Sequence, residues 1–220
     1  MLTWAIISQK GGQGKTTLAT GLAVEATKEL GSDTVVVLDT DDRQATAAFW
    51  EERRPTKDVL IVNTGLAVMP LNHKRARDHG ASLVIIDTPA NSRDIATEAA
   101  NLADLALIPV VPRAFDIASV MQTVKQLKLT GKPFAVVLNQ VKATGREGGD
   151  TEALFADQGV TVLKTRLHDR KDFSNSGAVG LSVTEFDPKS KAAAEFLALY
   201  DEVKRLSGFN AKRLRAERAA

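Results

Sequence analysis

The 220-residue chain has no cysteine, one tyrosine, two tryptophans and three histidines. Without cysteine there can be no disulfide, no thiolate-bound zinc and no cysteine-ligated iron–sulfur cluster, and the chain fits a reducing cytosol. His73, His79 and His168 are too scattered for a metal cage. No run of 18 apolar residues occurs, so no transmembrane helix is expected. The N-terminus lacks the basic region and long apolar stretch of a signal peptide, which predicts a cytoplasmic protein. An excess of one charge is also missing. Lys and Arg total 29 against 27 Asp and Glu, a net +2 that by itself says little about nucleic acid. Internal repeats, low-complexity tracts and interdomain linkers are absent. With 44% hydrophobic residues, the composition suits one domain with a sizeable core. We expect that domain over 1–208 and a basic extension over 209–220.

Short apolar runs recur at wide spacing: Trp4–Ile7, Thr34–Leu38, Val59–Val62, Leu83–Ile86, Leu105–Val110, Phe134–Leu138 and Thr161–Leu163. Most are apolar throughout rather than alternating, as parallel strands covered on both faces require. Helical patterns fall between several of them, at Thr17–Leu30, Arg93–Leu102, Ala118–Leu129 and Thr151–Asp157, with a last helix over Ser190–Leu206. The expected fold class is α/β, a mostly parallel twisted sheet with helices on both faces. Ligands of such sheets bind beyond the carboxyl ends of the strands. Residues 209–220 are left open between a short helix and a frayed tail.

The run Lys10-Gly11-Gly12-Gln13-Gly14-Lys15-Thr16-Thr17 follows the first strand and opens the first helix. That order makes a phosphate-binding loop. Glycines let backbone N–H groups turn toward phosphate oxygens, and the helix adds its N-terminal dipole. Lys15 would reach the β/γ-phosphates and the Thr16 hydroxyl would sit on Mg²⁺. Two further strands end in carboxylates, at Asp39-Thr40-Asp41-Asp42 and Asp87-Thr88-Pro89. Along an extended chain Asp39 and Asp41 point the same way, so one would support the metal shell and the other orient a water. Asp87 would hold a Mg²⁺-bound water. Lys10 is one lysine more than a phosphate loop needs. It stands where it could reach across an interface to a nucleotide held by a second subunit, coupling nucleotide state to assembly.

Residues 10–17 resemble the deviant Walker A motif of the ParA/MinD ATPases. Asp39-Thr40-Asp41-Asp42-Arg43-Gln44 is similar to their switch I, and Ile86-Asp87-Thr88-Pro89 to their Walker B and switch II. Leu107-Ile108-Pro109-Val110 and Val137-Leu138-Asn139 fit their later strands, and Glu185–Ala193 resembles the lead into the last helix of small ParA partition proteins. The likeness runs from about residue 4 to 206. It implies Lys10 as the signature lysine acting in trans, Asp41 as the residue orienting the attacking water, and Thr16, Asp39 and Asp87 at Mg²⁺. It also implies Asn139 near the adenine, with Pro188 at the nucleotide site. ATP would form a sandwich homodimer that binds duplex DNA without sequence preference. A ParB-like centromere-binding or cargo-adaptor partner would stimulate a slow ATPase and release it from the nucleoid. A plasmid is the cargo expected first, with a carboxysome or chemoreceptor cluster as the alternative. Two departures stand out. Asp42-Arg43 replaces the usual proline of switch I, and the chain starts at its first strand, so no operator-binding extension is expected.

DNA binding without sequence preference needs clustered cations and weakens with salt. The candidates are Arg166, Arg170, Lys171, Lys189, Lys204, Arg205, Lys212, Arg213, Arg215 and Arg218. Beyond Phe209 no aromatic interleaves the C-terminal cations, so base stacking is not indicated. A MinD-like membrane helix would need a bulky apolar face, and after Gly208 only Phe209 and Leu214 are large and apolar. A metabolic P-loop kinase or ligase is the alternative of a different class.

Overall fold

A computed structural model describes residues 1–41 and 46–219. Six strands, β1 (Leu2–Ile6), β2 (Val35–Asp39), β3 (Leu60–Asn63), β4 (Leu83–Asp87), β5 (Leu105–Val110) and β6 (Phe134–Leu138), form one sheet. Their spatial order is β3-β2-β4-β1-β5-β6, and every pairing is parallel. Strand residues of opposite parity feed two separate cores. Leu2, Trp4, Ile6, Val35, Val37, Leu83 and Ile85 face one side, while Ala5, Val36, Leu38, Val84 and Ile86 face the other. That double burial is why the strands read as unbroken apolar runs.

The first core is covered by α1 (Lys15–Leu30), α2 (Thr46–Arg53), α7 (Lys171–Ala178), α8 (Val183–Phe186), α9 (Lys191–Ser207) and α10 (Ala211–Ala219). On the other face lie α3 (Met69–Asp78), α4 (Arg93–Leu102), α5 (Ala114–Thr130) and α6 (Glu147–Asp157). α1 and α9 pack so closely that a Cβ on Gly21 would stand 2.4 Å from the Phe196 ring. Both helices run from the carboxyl edge of the sheet to its amino edge, where Lys204 meets Glu29 at 2.6 Å.

The segment Thr161–Leu163 is not a strand. It makes a single bridge, Val136 to Val162, and Glu202 then takes the N–H groups of Lys164 and Thr165 and turns the chain away. The C-terminal residues form α10, docked under the amino edge. Leu214 is buried there, the Arg215 guanidinium donates to the Glu29 carbonyl, and Glu217 lies 3.7 Å from the N-terminal ammonium.

Candidate nucleotide site

β1 lies between β4 and β5, where the sheet order reverses, and the loop leaving it is Lys10–Gly14. Gly12 and Gly14 have φ of +74° and +80°, which glycine adopts without strain. At Gly14 a side chain is excluded twice over, because a Cβ would also stand 2.3 Å from the Asn139 amide nitrogen. That amide donates to the Gln13 carbonyl at 2.8 Å. The buried Gln13 side chain accepts from the Val111 N–H at 2.7 Å, and Gln140 donates to the Gly12 carbonyl at 3.1 Å. The loop is therefore braced by the ends of β5 and β6. Asn139, expected near the adenine, spends its amide on this brace while still lining the neighbouring cavity.

The β2–β4 register sets Asp39 beside Asp87 at the carboxyl edge. Thr16, in the first turn of α1, donates its hydroxyl to Asp87 Oδ2 at 2.6 Å. The Thr40 hydroxyl donates to the Asp87 carbonyl at 2.7 Å, and the Asp41 N–H to Asp39 Oδ1 at 3.0 Å. Asp39 Oδ2 and Asp87 Oδ1 are buried without a hydrogen-bond partner. Two such oxygens beside the Thr16 hydroxyl are hard donors of the kind a Mg²⁺ ion takes. Among the described residues no group of three or more His, Cys, Asp or Glu converges on a metal; Thr16, Asp39 and Asp87 are residues that could hold one, with water and phosphate completing the shell.

Burial and mutual repulsion disfavour charge on the paired carboxyls. Burial pushes the Asp87 carboxyl up to about 7, against the Thr16 hydrogen bond; the Asp39 charge adds to the rise and Lys15 opposes it. Burial also raises Asp39, while the N–H groups of Asp41 and Ala47 oppose that rise. Lys15 is lowered, first by burial, although Asp87 and Asp41 act to raise it. Its ammonium donates to the Lys10 carbonyl at 3.2 Å. Lys10 itself is half-buried on the outer rim, and Gly11, Gly12 and Thr17 are exposed.

Beside the loop opens a cavity of about 300 Å³ lined by Gly14, Thr17, Leu18, Asn139, Gln140 and the segment Leu167–Lys171 with Phe173 and Ser174. It is large enough to receive a nucleoside next to the phosphate loop. The 167–174 segment carries no motif and was missed in the sequence, where Arg170 and Lys171 read only as surface cations. Pro188 lies exposed ahead of α9, outside that lining. Asp42, Arg43 and Gln44, the departure in switch I, lie outside the described residues.

The ten cations do not share one face. Arg166, Arg170 and Lys171 sit at the nucleotide edge, Arg166 paired with Glu152 at 2.5 Å and Arg170 with Glu195 at 2.6 Å. Lys189 is exposed before α9. Lys204, Arg205, Lys212, Arg213, Arg215 and Arg218 gather at the opposite, amino edge.

Comparison with known proteins agrees with the geometry. Residues 4–183 match the family model described as the CobQ/CobB/MinD/ParA nucleotide binding domain. A maintenance of carboxysome distribution protein A from Gloeobacter kilaueensis is 28% identical over 87% of this chain and 88% of its own length. Its namesake from Halothiobacillus neapolitanus is 25% identical over 88% of this chain and 91% of its own. Among solved structures, the septum site-determining protein MinD complexed with Mg-ADP from Pyrococcus horikoshii superimposes with a TM-score of 0.78. That alignment has 20% identity and covers 94% of this chain and 97% of the other. The chain belongs to the CobQ/CobB/MinD/ParA nucleotide-binding family, as a deviant Walker A P-loop ATPase of the ParA/MinD superfamily that uses ATP and Mg²⁺.

Proposed function

We propose that this ATPase positions a cellular cargo by cycling on and off DNA as an ATP-held homodimer. The observation that carries the reading is the pair of lysines on one loop: Lys15 sunk beside Asp87, and Lys10 on the outer rim with its carbonyl fixed by the Lys15 ammonium. Lys15 and the N–H groups of Gly11–Thr17 bind the phosphates of the nucleotide in their own subunit. Lys10 serves the nucleotide of the second subunit, so ATP becomes part of the dimer interface. Thr16, Asp39 and Asp87 would hold a Mg²⁺ ion, which would supply positive charge against the phosphates. Asp41 orients the water for in-line attack. Asn139 keeps the loop open against its own carbonyl and, with the 167–174 segment, encloses the nucleoside.

A protein cargo is the better reading than a plasmid, because two of the three curated relatives, at 28% and 25% identity, carry carboxysome distribution in their names. The DNA-binding face is assigned to the amino edge. Of the cations named in the sequence, Arg166, Arg170 and Lys204 have carboxylates within 3.0 Å that offset their charge. Arg205, Lys212, Arg215 and Arg218 have no carboxylate in ion-pair range among the described residues, and Arg213 has one at 3.5 Å. Exposed Arg75 and Arg77 near the end of α3 extend this group beside Gly80, against which the Arg218 side chain lies. The large apolar residue of α10, Leu214, is spent on the core, so α10 lacks the free apolar face that membrane attachment would need. No described helix is long and apolar enough to cross a membrane.

The test is binding to duplex DNA of arbitrary sequence with ATP, ADP or no nucleotide, across a salt series, with mass measured in parallel. Tight, salt-sensitive binding by an ATP-dependent dimer is expected. ATP dimers that ignore DNA would move the tether to another surface. A monomer that transfers phosphate to a small acceptor would support the metabolic kinase or ligase reading.

A further inference from the structure

We propose that Arg54 is a positioning residue for ATP hydrolysis, a buried guanidinium that locks α2 onto the α7–α8 loop and thereby holds the start of α2 beside Asp39, whose carboxylate takes the Asp41 N–H. The inference rests on the roles given above to those two carboxylates.

Arg54 follows α2 directly, and its side chain is 1% exposed. All of its donors are used. Nε and Nη2 bond the two oxygens of Asp58 at 2.7 and 3.0 Å, and Nη1 and Nη2 bond those of Glu185, both at 3.0 Å. Nη1 also donates to the Gly180 carbonyl at 3.2 Å. A guanidinium has five N–H groups, and no other side chain could fill this arrangement. The plane lies 4.8 Å over the Trp50 ring, whose indole N–H donates to the Leu181 carbonyl at 3.3 Å. At Gly180 φ is +72°, and a Cβ there would come within 2.4 Å of the Arg54 nitrogen, so the loop touches the helix end backbone to backbone.

The clamp reaches further through Glu185. The same carboxylate accepts from the Ser182 N–H at 2.9 Å and completes the capping box of α8. Thr184 in turn hydrogen-bonds Glu25 of α1, the helix that begins with Lys15 and Thr16. The other end of α2 lies at the site: Thr46, its first residue, lines a cavity together with Thr16 and Thr17, and the nearby Ala47 N–H opposes the rise of the Asp39 carboxyl. Between the two ends only Ala47 and Trp50 of its eight residues are buried. A cavity of about 230 Å³ lies against it, lined by Thr16, Thr17, Phe49, Trp50, Phe173 and Phe196 among others. So short a helix depends on its anchors for position, and Arg54 is the anchor remote from the chemistry.

The test uses the full chain with Arg54→Lys, which keeps the charge but cannot bond two carboxylates and a carbonyl at once. ATP affinity, KM, kcat and the thermal midpoint are measured together, with rates taken well below the midpoint. We expect kcat to fall about tenfold or more while ATP affinity stays within about twofold. Asp58→Asn, which removes only one charge from the clamp, should give the same split at about threefold. A folded Arg54→Lys variant with wild-type kcat overturns the proposal, as does a rate loss that disappears when rates are compared at equal folded fraction. Should Arg54→Lys not fold, Asp58→Asn decides, and unchanged kcat there overturns it. Asp41→Ala separates the two layers: full turnover in that variant removes the role given to Asp41, whatever Arg54 does.

Discussion

Asp87 has one oxygen on Thr16 and the other buried without a partner, beside an equally unpartnered oxygen of Asp39. Orphaned buried oxygens are costly unless a ligand completes them. Replacing Lys15 with alanine removes the ammonium sunk beside Asp87; ATP affinity, measured by titration with a fluorescent analogue, should fall by about two orders of magnitude or more. Asp41→Ala should keep ATP affinity and lower single-turnover hydrolysis by about 10²- to 10⁴-fold, the range for a group that handles the attacking water. At this scale the phosphate loop and the carboxylates were legible, because each is fixed by a short motif after a strand. Asn139 was legible only in part. Its bond to the Gln13 carbonyl depends on β6 lying two strands from β1, and nothing local records that. Arg54 gave no signal at all, since Asp58, Gly180 and Glu185 meet it only in the fold.

Among the elements, the strands of the sheet were read nearly to the residue because, edge strand β3 apart, both faces are buried. The failures have local causes. α3 is polar over most of its length and begins at Met69-Pro70, with Met69 and His73 as its buried residues, so it lacks an apolar stripe. α2, α7 and α8 are short, eight, eight and four residues, too brief for a helical period to emerge. The close α1–α9 contact predicts that Gly21→Ala costs about 1–3 kcal/mol through overpacking against Phe196, measurable by urea unfolding. The clamp beyond α2 has its own pH signature. Arg54 holds Asp58 and Glu185 below their usual values, in both cases against burial. Carboxyls depressed in the folded state contribute stability above their unfolded pKa of about 4, and that stability is lost as pH falls through the lower folded values. Glu185→Gln should therefore unfold at a lower temperature near pH 7, yet lose less of its midpoint than the wild type between about pH 5 and pH 3.

For the whole molecule, the nucleotide loop and the cationic helix α10 occupy opposite edges of the sheet. Lys10→Ala should leave ATP binding by the monomer intact and abolish ATP-dependent dimers, read by light scattering; normal dimers would remove the trans role. Charge reversal at Lys212 and Arg213 should weaken DNA binding at all sequences and reduce the salt slope by about one per lost phosphate contact. These two are the better choices, because Arg215 also donates to the Glu29 carbonyl and its loss would loosen α10.

α1 has an end at each place. It starts at Lys15 and Thr16 and finishes beside Glu29, whose carboxylate holds Lys204 and whose carbonyl holds Arg215. Its 16 residues make a rod about 24 Å long. A nucleotide and a polyanion set at the two ends of that rod do not compete for room, so neither has to leave before the other arrives. Order in the proposed cycle then comes from assembly and chemistry rather than from steric exclusion: ATP builds the dimer that holds DNA, and the cleavage of ATP gives the sequence of events a direction.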